Sequence, residues 1–264
     1  MTETSPIPPM WEWYTRYYAV VSSSHANALY CERLAGRNLC QHDFTEMSHL
    51  DRIIEVTSMR AGQRVLDMGC GNGFIAEYLS DTSGAHLTGI DFIPDAIRQA
   101  QERTRAKADR LDFRVGDIDH LDFPPASFDI IVSIDTMYFT PLVETVQQMK
   151  MLLKPGGQMA IFYSHGREPW VPRETFDTAS TLPNATPLAL ALQANNLLYE
   201  TWDYTAGDYA HALRKREIAE ELKADFEAEG NLFLYENHRG EAVGVATAIE
   251  EGNHRRYLYH VRLS

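Results

Sequence analysis

The chain has 264 residues, an ordinary globular composition and a formal net charge of −13, which suits one buried core with a lobe attached. The acidic balance excludes a long phosphate-binding footprint, which needs clustered Lys and Arg, and agrees with a small or cationic substrate. Three cysteines, Cys31, Cys40 and Cys70, lack C-x-x-C spacing, and no apolar run reaches membrane-span length; disulfides, metal and membrane are not expected, and a reducing, cytoplasmic setting is.

Residues 1–9 are rich in Thr, Ser and Pro, carry no basic region before an apolar one, and are expected to be disordered rather than a signal peptide. Residues 1–60 are expected to end in N-terminal lid helices. Trp11, Trp13, Tyr14, Tyr17 and Tyr18 crowd together first. A helix is predicted over 25–34, stopped by Gly36, then a loop over 36–42. A second helix is predicted over 44–58, with Asp43 as N-cap and Glu46 completing a capping-box pattern.

The stretch Val65-Leu66-Asp67-Met68-Gly69-Cys70-Gly71-Asn72-Gly73 organises the rest of the chain. An apolar run ends in an acid, three glycines alternate, and Phe74, Ile75, Tyr78 and Leu79 then share a helical face. Strand, glycine loop and helix make the first βα turn of a doubly wound sheet, where nucleotide-like ligands bind. Phe74 stands where a dinucleotide fingerprint needs its third glycine. A carboxylate at Asp67 would repel a pyrophosphate but suits a ligand bearing an ammonium and a sulfonium. Asp91 ends the next apolar run, where ribose hydroxyls are held.

From residue 64 strands (64–68, 86–90, 111–115, 128–133, 158–163) alternate with helices, and repeated βα units predict a parallel sheet with right-handed crossovers. Thr140-Pro141 opens the helix after the fourth strand, and Lys154-Pro155-Gly156-Gly157 is a turn. Residues 61–164 therefore form the core. The alternation stops at Ser164, and 165–230 is expected as a helical cap inserted after strand five, with helices over 188–199 and 208–229. Residues 231–264 are expected to complete the sheet, with strands over 232–235 and 257–263 and a helix over 241–249 between them.

The chain resembles class I S-adenosylmethionine-dependent methyltransferases of the small-molecule type. VLDMGCGNG matches that family's first motif, GIDFIPDAI its second, RVGDIDHLDFPPASFDIIVS its third and fourth, and LLKPGGQMAIF its fifth. The resemblance covers residues 62–164. It implies an α/β fold with a Rossmann-like, doubly wound seven-stranded sheet, six strands parallel and the seventh antiparallel. It also implies S-adenosyl-L-methionine as cofactor and S-adenosyl-L-homocysteine as product.

Under that resemblance Gly69, Cys70, Gly71 and Gly73 form the cofactor loop, and Asp67 orders it and the methionine ammonium. Asp91 takes the ribose diol, as a carboxylate accepts and never donates, and Phe92 or Ile93 packs on adenine, Phe92 being the one assigned. Asp117 accepts the adenine amine or caps a helix, Ile118 touches the ring, and Ser133 and Ile134 line the methionine portion. Gly36-x-Asn38-x-x-Gln41-His42 resembles a pre-core segment in which a histidine approaches the cofactor, so Gln41 and His42 join the set. Tyr14, Tyr17 or Tyr18 is expected to close over the sulfonium or a cationic substrate by cation–π contact, with Tyr17 the one assigned to the cofactor set; the alternative is that the cluster only staples a helix onto the core.

Methyl transfer is an in-line displacement with a neutral leaving group, so alignment in a dry pocket supplies much of the catalysis. A base is needed only if the nucleophile must lose a proton. Asp135, Tyr138 and His165, at strand ends, are the assigned candidates, and His42, in the loop before the first core helix, is a further one. The partner is expected to be a small-molecule acceptor methylated on N, O or C. Two alternatives remain: a cofactor-binding protein without methyl transfer, and a protein or RNA methyltransferase. The latter is disfavoured by Ser133-Ile134-Asp135-Thr136 in place of an N-P-P-Y-type tetrapeptide and by the lack of a basic domain.

Overall fold

The computed structural model describes residues 10–167 and 170–263; the expectation for residues 1–9 lies outside the described residues. One sheet contains β1 (Arg64–Met68), β2 (His86–Asp91), β3 (Leu111–Val115), β4 (Phe128–Ile134), β5 (Leu153–Gly166), β6 (Tyr199–Asp203) and β7 (His254–Arg262). Their order is β3-β2-β1-β4-β5-β7-β6. β7 runs antiparallel to both β5 and β6, and the other neighbours are parallel, so six strands share a direction and one opposes it.

The side-chain period of two sorts each central strand between two apolar layers. Val65, Ile130, Val132 and Phe162 face α3 (Met47–Thr57), α4 (Phe74–Ser83) and α5 (Pro94–Arg103). Leu66, Ile131 and Ile161 face α6 (Leu142–Leu152) and α7 (Pro187–Ala194). Both faces are covered, which is why these strands read as nearly continuous apolar runs. Chain connections leave β1 and β4 toward opposite edges of the sheet, and the crevice between their carboxyl ends is where such sheets bind ligands.

A third apolar cluster lies outside the sheet. It joins α1 (Met10–Val20) and α2 (His25–Ala35) to α8 (Thr205–Glu221), α9 (Lys223–Ala228) and α10 (Leu232–Glu250) through Tyr17, Tyr30, Leu34, Ile218, Leu222, Phe226 and Leu234. The two ends of the chain therefore build a single helical cap. Ser24 caps α2 by accepting from the Asn27 amide at 3.1 Å, and Gly36 ends it at φ 79°.

Three segments differ from the sequence expectation. Residues 232–235 are not a strand but the first turn of α10, which also absorbs the helix expected over 241–249. Leu-Phe-Leu-Tyr is a short apolar run with no period to separate strand from buried helix, and the cap core decides it. The sixth strand is β6, inside the stretch expected to be a helical cap; α7 stops at Ala194, and Asn196 turns the chain with φ 55°. The helical insertion thus lies between β6 and β7 rather than directly after β5. Glu46, not Asp43, is the N-cap of α3, with His49 Nδ1 accepting from the Glu46 amide at 3.2 Å. Asp43 accepts from the Thr45 amide at 2.8 Å instead and lines a cavity beside the glycine loop. Among the described residues no helix is long and apolar enough to cross a membrane.

Candidate functional site

Beyond β1 the backbone takes positive φ at Gly69 (77°), Gly71 (54°) and Gly73 (75°), the region that L side chains avoid. The amides of Gly69 and Cys70 both donate to the Ile90 carbonyl at 2.9 Å, and the Gly71 amide donates to Asp91 Oδ2 at 2.9 Å. The loop is therefore laced to the end of β2. A Cβ at Gly69 would strike Thr136, and one at Gly71 would strike the Tyr18 hydroxyl. Both glycines line a cavity of about 920 Å³, open mouth included. Gly73 does not line it: a Cβ there would meet Phe113 and Ala100, so this glycine serves the packing of α4 on the sheet.

Asp91 lines the cavity, its second oxygen accepting from the Ile93 amide at 2.9 Å. Burial raises its pKa, opposed by the backbone amides of Ile93, Gly71 and Phe92. Each oxygen keeps further acceptor capacity toward the cavity. Asp67 lies beneath the loop, not among the lining residues, and its Oδ2 has no hydrogen-bond partner among the described residues. Burial first, then Asp91 and Asp43, push its pKa up to about 7. Asn72 lines the cavity with Nδ2 buried and unpartnered. Orphaned buried polar atoms cost about 1–3 kcal/mol each; here they stand around a glycine cradle.

Cys70, Phe92, Ile118, Gln41 and His42 also line the cavity. Gln41 Oε1 accepts from the Leu39 amide at 2.9 Å, which fixes the loop before α3. His42 Nε2 lies 2.8 Å from Asn237 Nδ2 on α10, and its ring packs edge-on against Trp13, Tyr14 and Tyr17. Asp117 stands exposed at the rim, where its Oδ1 accepts from the Asp119 amide at 2.9 Å. It thus stabilises a turn while facing the mouth.

Besides Gly73 and Asp67, three expected residues are not brought to the cavity. Tyr17 is buried in the cap, its ring stacked on Trp13 and its hydroxyl 3.4 Å from the Cys40 carbonyl. Tyr14 and Tyr18, four residues apart on the same helical face, line the cavity in its place. Ser133 is fully buried; its Oγ lies 2.6 Å from Thr136 Oγ1, which donates to the Met68 carbonyl and covers Gly69. His165 lies outside the cavity with Nε2 3.2 Å from Ser180 Oγ, and burial lowers its pKa.

Asp135 and Tyr138 both line the cavity. Asp135 is held at φ 52° and is not a free base. Arg256 Nε reaches its Oδ1 at 3.1 Å, and Arg256 Nη2 its Oδ2 at 2.7 Å. The same guanidinium, wholly buried, reaches Asp208 Oδ1 at 3.3 Å and the Phe44 carbonyl at 3.4 Å, and lies 4.5 Å over the Phe162 ring. Burial alone would lower the Arg256 pKa; Asp135 and Asp208 reverse this and hold it above its ordinary value. Protonating Asp135 would leave a buried cation short of a partner.

Sequence reasoning missed Arg256, Asp208, Lys215 and Glu241. Lys215 on α8 is buried and donates to the His42 carbonyl at 2.9 Å, the Asp43 carbonyl at 3.3 Å and the Glu241 carboxylate. It fixes the cavity wall from behind. Arg256 left one signal: it shares an inward strand face with Leu258, and a charge there needs buried partners. The arrangement can hold a diol at Asp91, an aromatic ring beside Phe92 and a cation among carboxylates and tyrosines. No group of three or more metal-ligating side chains is placed to hold a metal among the described residues.

The comparisons with known proteins agree on a family. A "Methyltransferase domain" family description matches residues 59–225, more than half the chain. The chain is 32% identical over 114 residues to 27-O-demethylrifamycin SV methyltransferase of Amycolatopsis mediterranei, covering 42% of each chain. It is 37% identical over 114 residues to the ubiquinone biosynthesis O-methyltransferase of Xylella fastidiosa, covering 42% of this chain and 46% of that one. The matches thus span less than half the length of these curated relatives. The fold matches Haemonchus contortus phosphoethanolamine N-methyltransferase 2, solved with phosphomonomethylethanolamine and S-adenosylhomocysteine. There the TM-score is 0.75 at 20% identity, over 95% of this chain and 60% of that one.

Proposed function

We propose that this chain, which belongs to the class I S-adenosylmethionine-dependent methyltransferases, transfers a methyl group to N, O or C of a small molecule. The observation that carries the reading is the glycine cradle laced by the Gly71 amide to Asp91 and opening onto the cavity. The unpartnered Asn72 Nδ2 on the lining fits a ligand that brings acceptor atoms, and the Asp67 carboxyl beneath the loop favours a cation above it. The relatives, named as methyltransferases of rifamycin and ubiquinone pathways, support a small-molecule acceptor. Buried free thiols at Cys31, Cys40 and Cys70 support a reducing, cytoplasmic setting.

When bound, S-adenosylmethionine supplies a methyl carbon activated by a positive sulfur. Asp91 accepts the ribose hydroxyls with the lone pairs its two amide bonds leave free. Gly69 and Gly71 leave room for the ligand to lie against the backbone. Phe92 and Ile118 offer apolar surface to the adenine, and Asp117 an acceptor at the rim. Tyr14 and Tyr18 on α1 close over the loop and exclude water, so that alignment rather than acid catalysis lowers the barrier. Calorimetry with S-adenosylhomocysteine tests this. Saturable one-to-one binding, weakened at Asp91→Asn, is expected; a folded protein that binds none overturns the reading.

A further inference from the structure

The charge of the cavity wall goes further than the cofactor requires. Asp43, Asp91, Asp117 and Asp135 line the cavity, and none of the described lining residues is Lys or Arg. Asp91 ends β2 and Asp117 follows β3. Asp43 and Asp135 stand on the opposite side, tied through Lys215 and Arg256 to α8 and β7. Behind that side, Arg256 is spent on Asp135, Asp208 and the Phe44 carbonyl. Lys215 is spent on Glu241 and two carbonyls. Of the four lining carboxylates only Asp135 is paired with Arg or Lys, and neither Arg256 nor Lys215 is free to meet an anion.

The same side is aromatic. Tyr14 and Tyr138 line it, with Phe139 4.5 Å from Tyr138 and 6.3 Å from Tyr14 between ring centres. The hydroxyls of Tyr14 and Tyr138 have no hydrogen-bond partner among the described residues, and neither has Asp43 Oδ2, since only Oδ1 is taken by the Thr45 amide. Burial first, then Glu241, Asp43, Asp91 and Asp135, push the Tyr14 phenol above its ordinary range. Ring faces and an open carboxylate attract a cation and repel an anion.

Resting on the methyl-transfer reading, we propose that the acceptor is an amine that enters as an ammonium ion, held by Asp43 beside the rings of Tyr14 and Tyr138. Acceptors carrying a phosphate or carboxylate at that position are excluded. Before attack the N–H bond breaks and the proton passes to Asp43 and on to solvent. The freed nitrogen lone pair then forms the N–C bond as the C–S bond breaks, its electron pair going to sulfur, and the product leaves as an ammonium.

The test titrates the complex with S-adenosylhomocysteine by calorimetry with three probes of one size: 2-phenylethylamine, 2-phenylethanol and phenylacetate. The amine is expected to bind about ten-fold tighter than either other probe, the factor of one desolvated cation contact. Asp43→Asn should remove that preference while leaving S-adenosylhomocysteine affinity and the melting temperature within error. Tyr14→Leu should weaken the amine several-fold and the alcohol little. Phenylacetate binding as tightly as the amine, a preference that survives Asp43→Asn, or no binding of any probe overturns the amine assignment. Failure of S-adenosylhomocysteine itself to bind overturns the methyl-transfer reading instead.

Discussion

Both carboxylate oxygens of Asp135 are held by the single guanidinium of Arg256, at 3.1 and 2.7 Å, across 121 positions of sequence. Strand β7 thereby fixes a left-handed residue in the wall of a cavity whose glycine loop lies in the first third of the chain. Truncating the cation strands two buried carboxylates, Asp135 and Asp208. Arg256→Met is expected to destabilise the fold by about 3–5 kcal/mol in urea unfolding. Adding Asp135→Asn and Asp208→Asn should recover much of that loss, because the penalty is unpaired charge rather than lost packing. A triple variant as unstable as the single one would contradict this.

Each Asp91 oxygen accepts from one backbone amide, of Gly71 or Ile93, and under the proposed function its remaining lone pairs take the ribose hydroxyls. Asp91→Asn keeps one acceptor for the Gly71 or Ile93 amide but weakens the ribose contact. S-adenosylhomocysteine affinity should fall about ten- to thirty-fold, on the order of 1.4–2 kcal/mol in calorimetry. Unchanged affinity would remove Asp91 from the site.

Burial moves the Asp67 carboxyl up to about 7, from about 3.9 when unfolded. A carboxyl raised on folding contributes its full stability below the unfolded value and loses it as pH climbs through the folded one. Wild-type protein without ligand should therefore weaken between about pH 4 and 7. Asp67→Asn should flatten part of that slope and be the more stable at pH 8, by on the order of 1–3 kcal/mol. Asp208, also pushed up to about 7 by burial, adds to the wild-type slope and persists in the variant. Urea curves at pH 4.5 and 8 measure both.

Neighbouring glycines should fail differently. Gly73→Ala drives a methyl into Phe113 and Ala100 and should cost about 1–3 kcal/mol of stability. Gly71→Ala displaces Tyr18 at the cavity and should cost ligand affinity beyond its backbone strain. Melting curves with and without S-adenosylhomocysteine separate the two. Equal ligand-induced shifts in both variants would contradict the division.

His165 is bonded to Ser180 and lies off the cavity. His165→Ala should leave kcat/KM for methyl transfer within about two-fold, and a hundred-fold loss would return it to the chemistry.

Legibility in the sequence tracks distance along the chain. The loop at Gly69–Gly71 and its partner Asp91 are about twenty residues apart on consecutive strands, and local spacing carries that geometry. The phase of α1 is not local: whether Tyr17 or Tyr14 and Tyr18 meet the cavity depends on which face α8–α10 bury, and those helices come two hundred residues later. Residues 232–235 misled for the same reason, since an all-apolar tetrapeptide has no period and only the cap core makes it helical. Tyr199–Asp203, by contrast, is a half-buried edge strand with too short an alternation to outweigh the helical pattern before it.

The position of β7 between β5 and β6 bears on how the protein is to be subdivided. A truncated clone bounded at 59–225, where the domain match ends, would keep the glycine cradle but lose Tyr14, Asp43, Glu241 and Arg256. It would also strip the neighbours from both flanking strands and bare their amides to aggregation. Expression products limited to 59–225 should come out insoluble, and tests of the proposed activity need residues 10–58 and 226–262 as well.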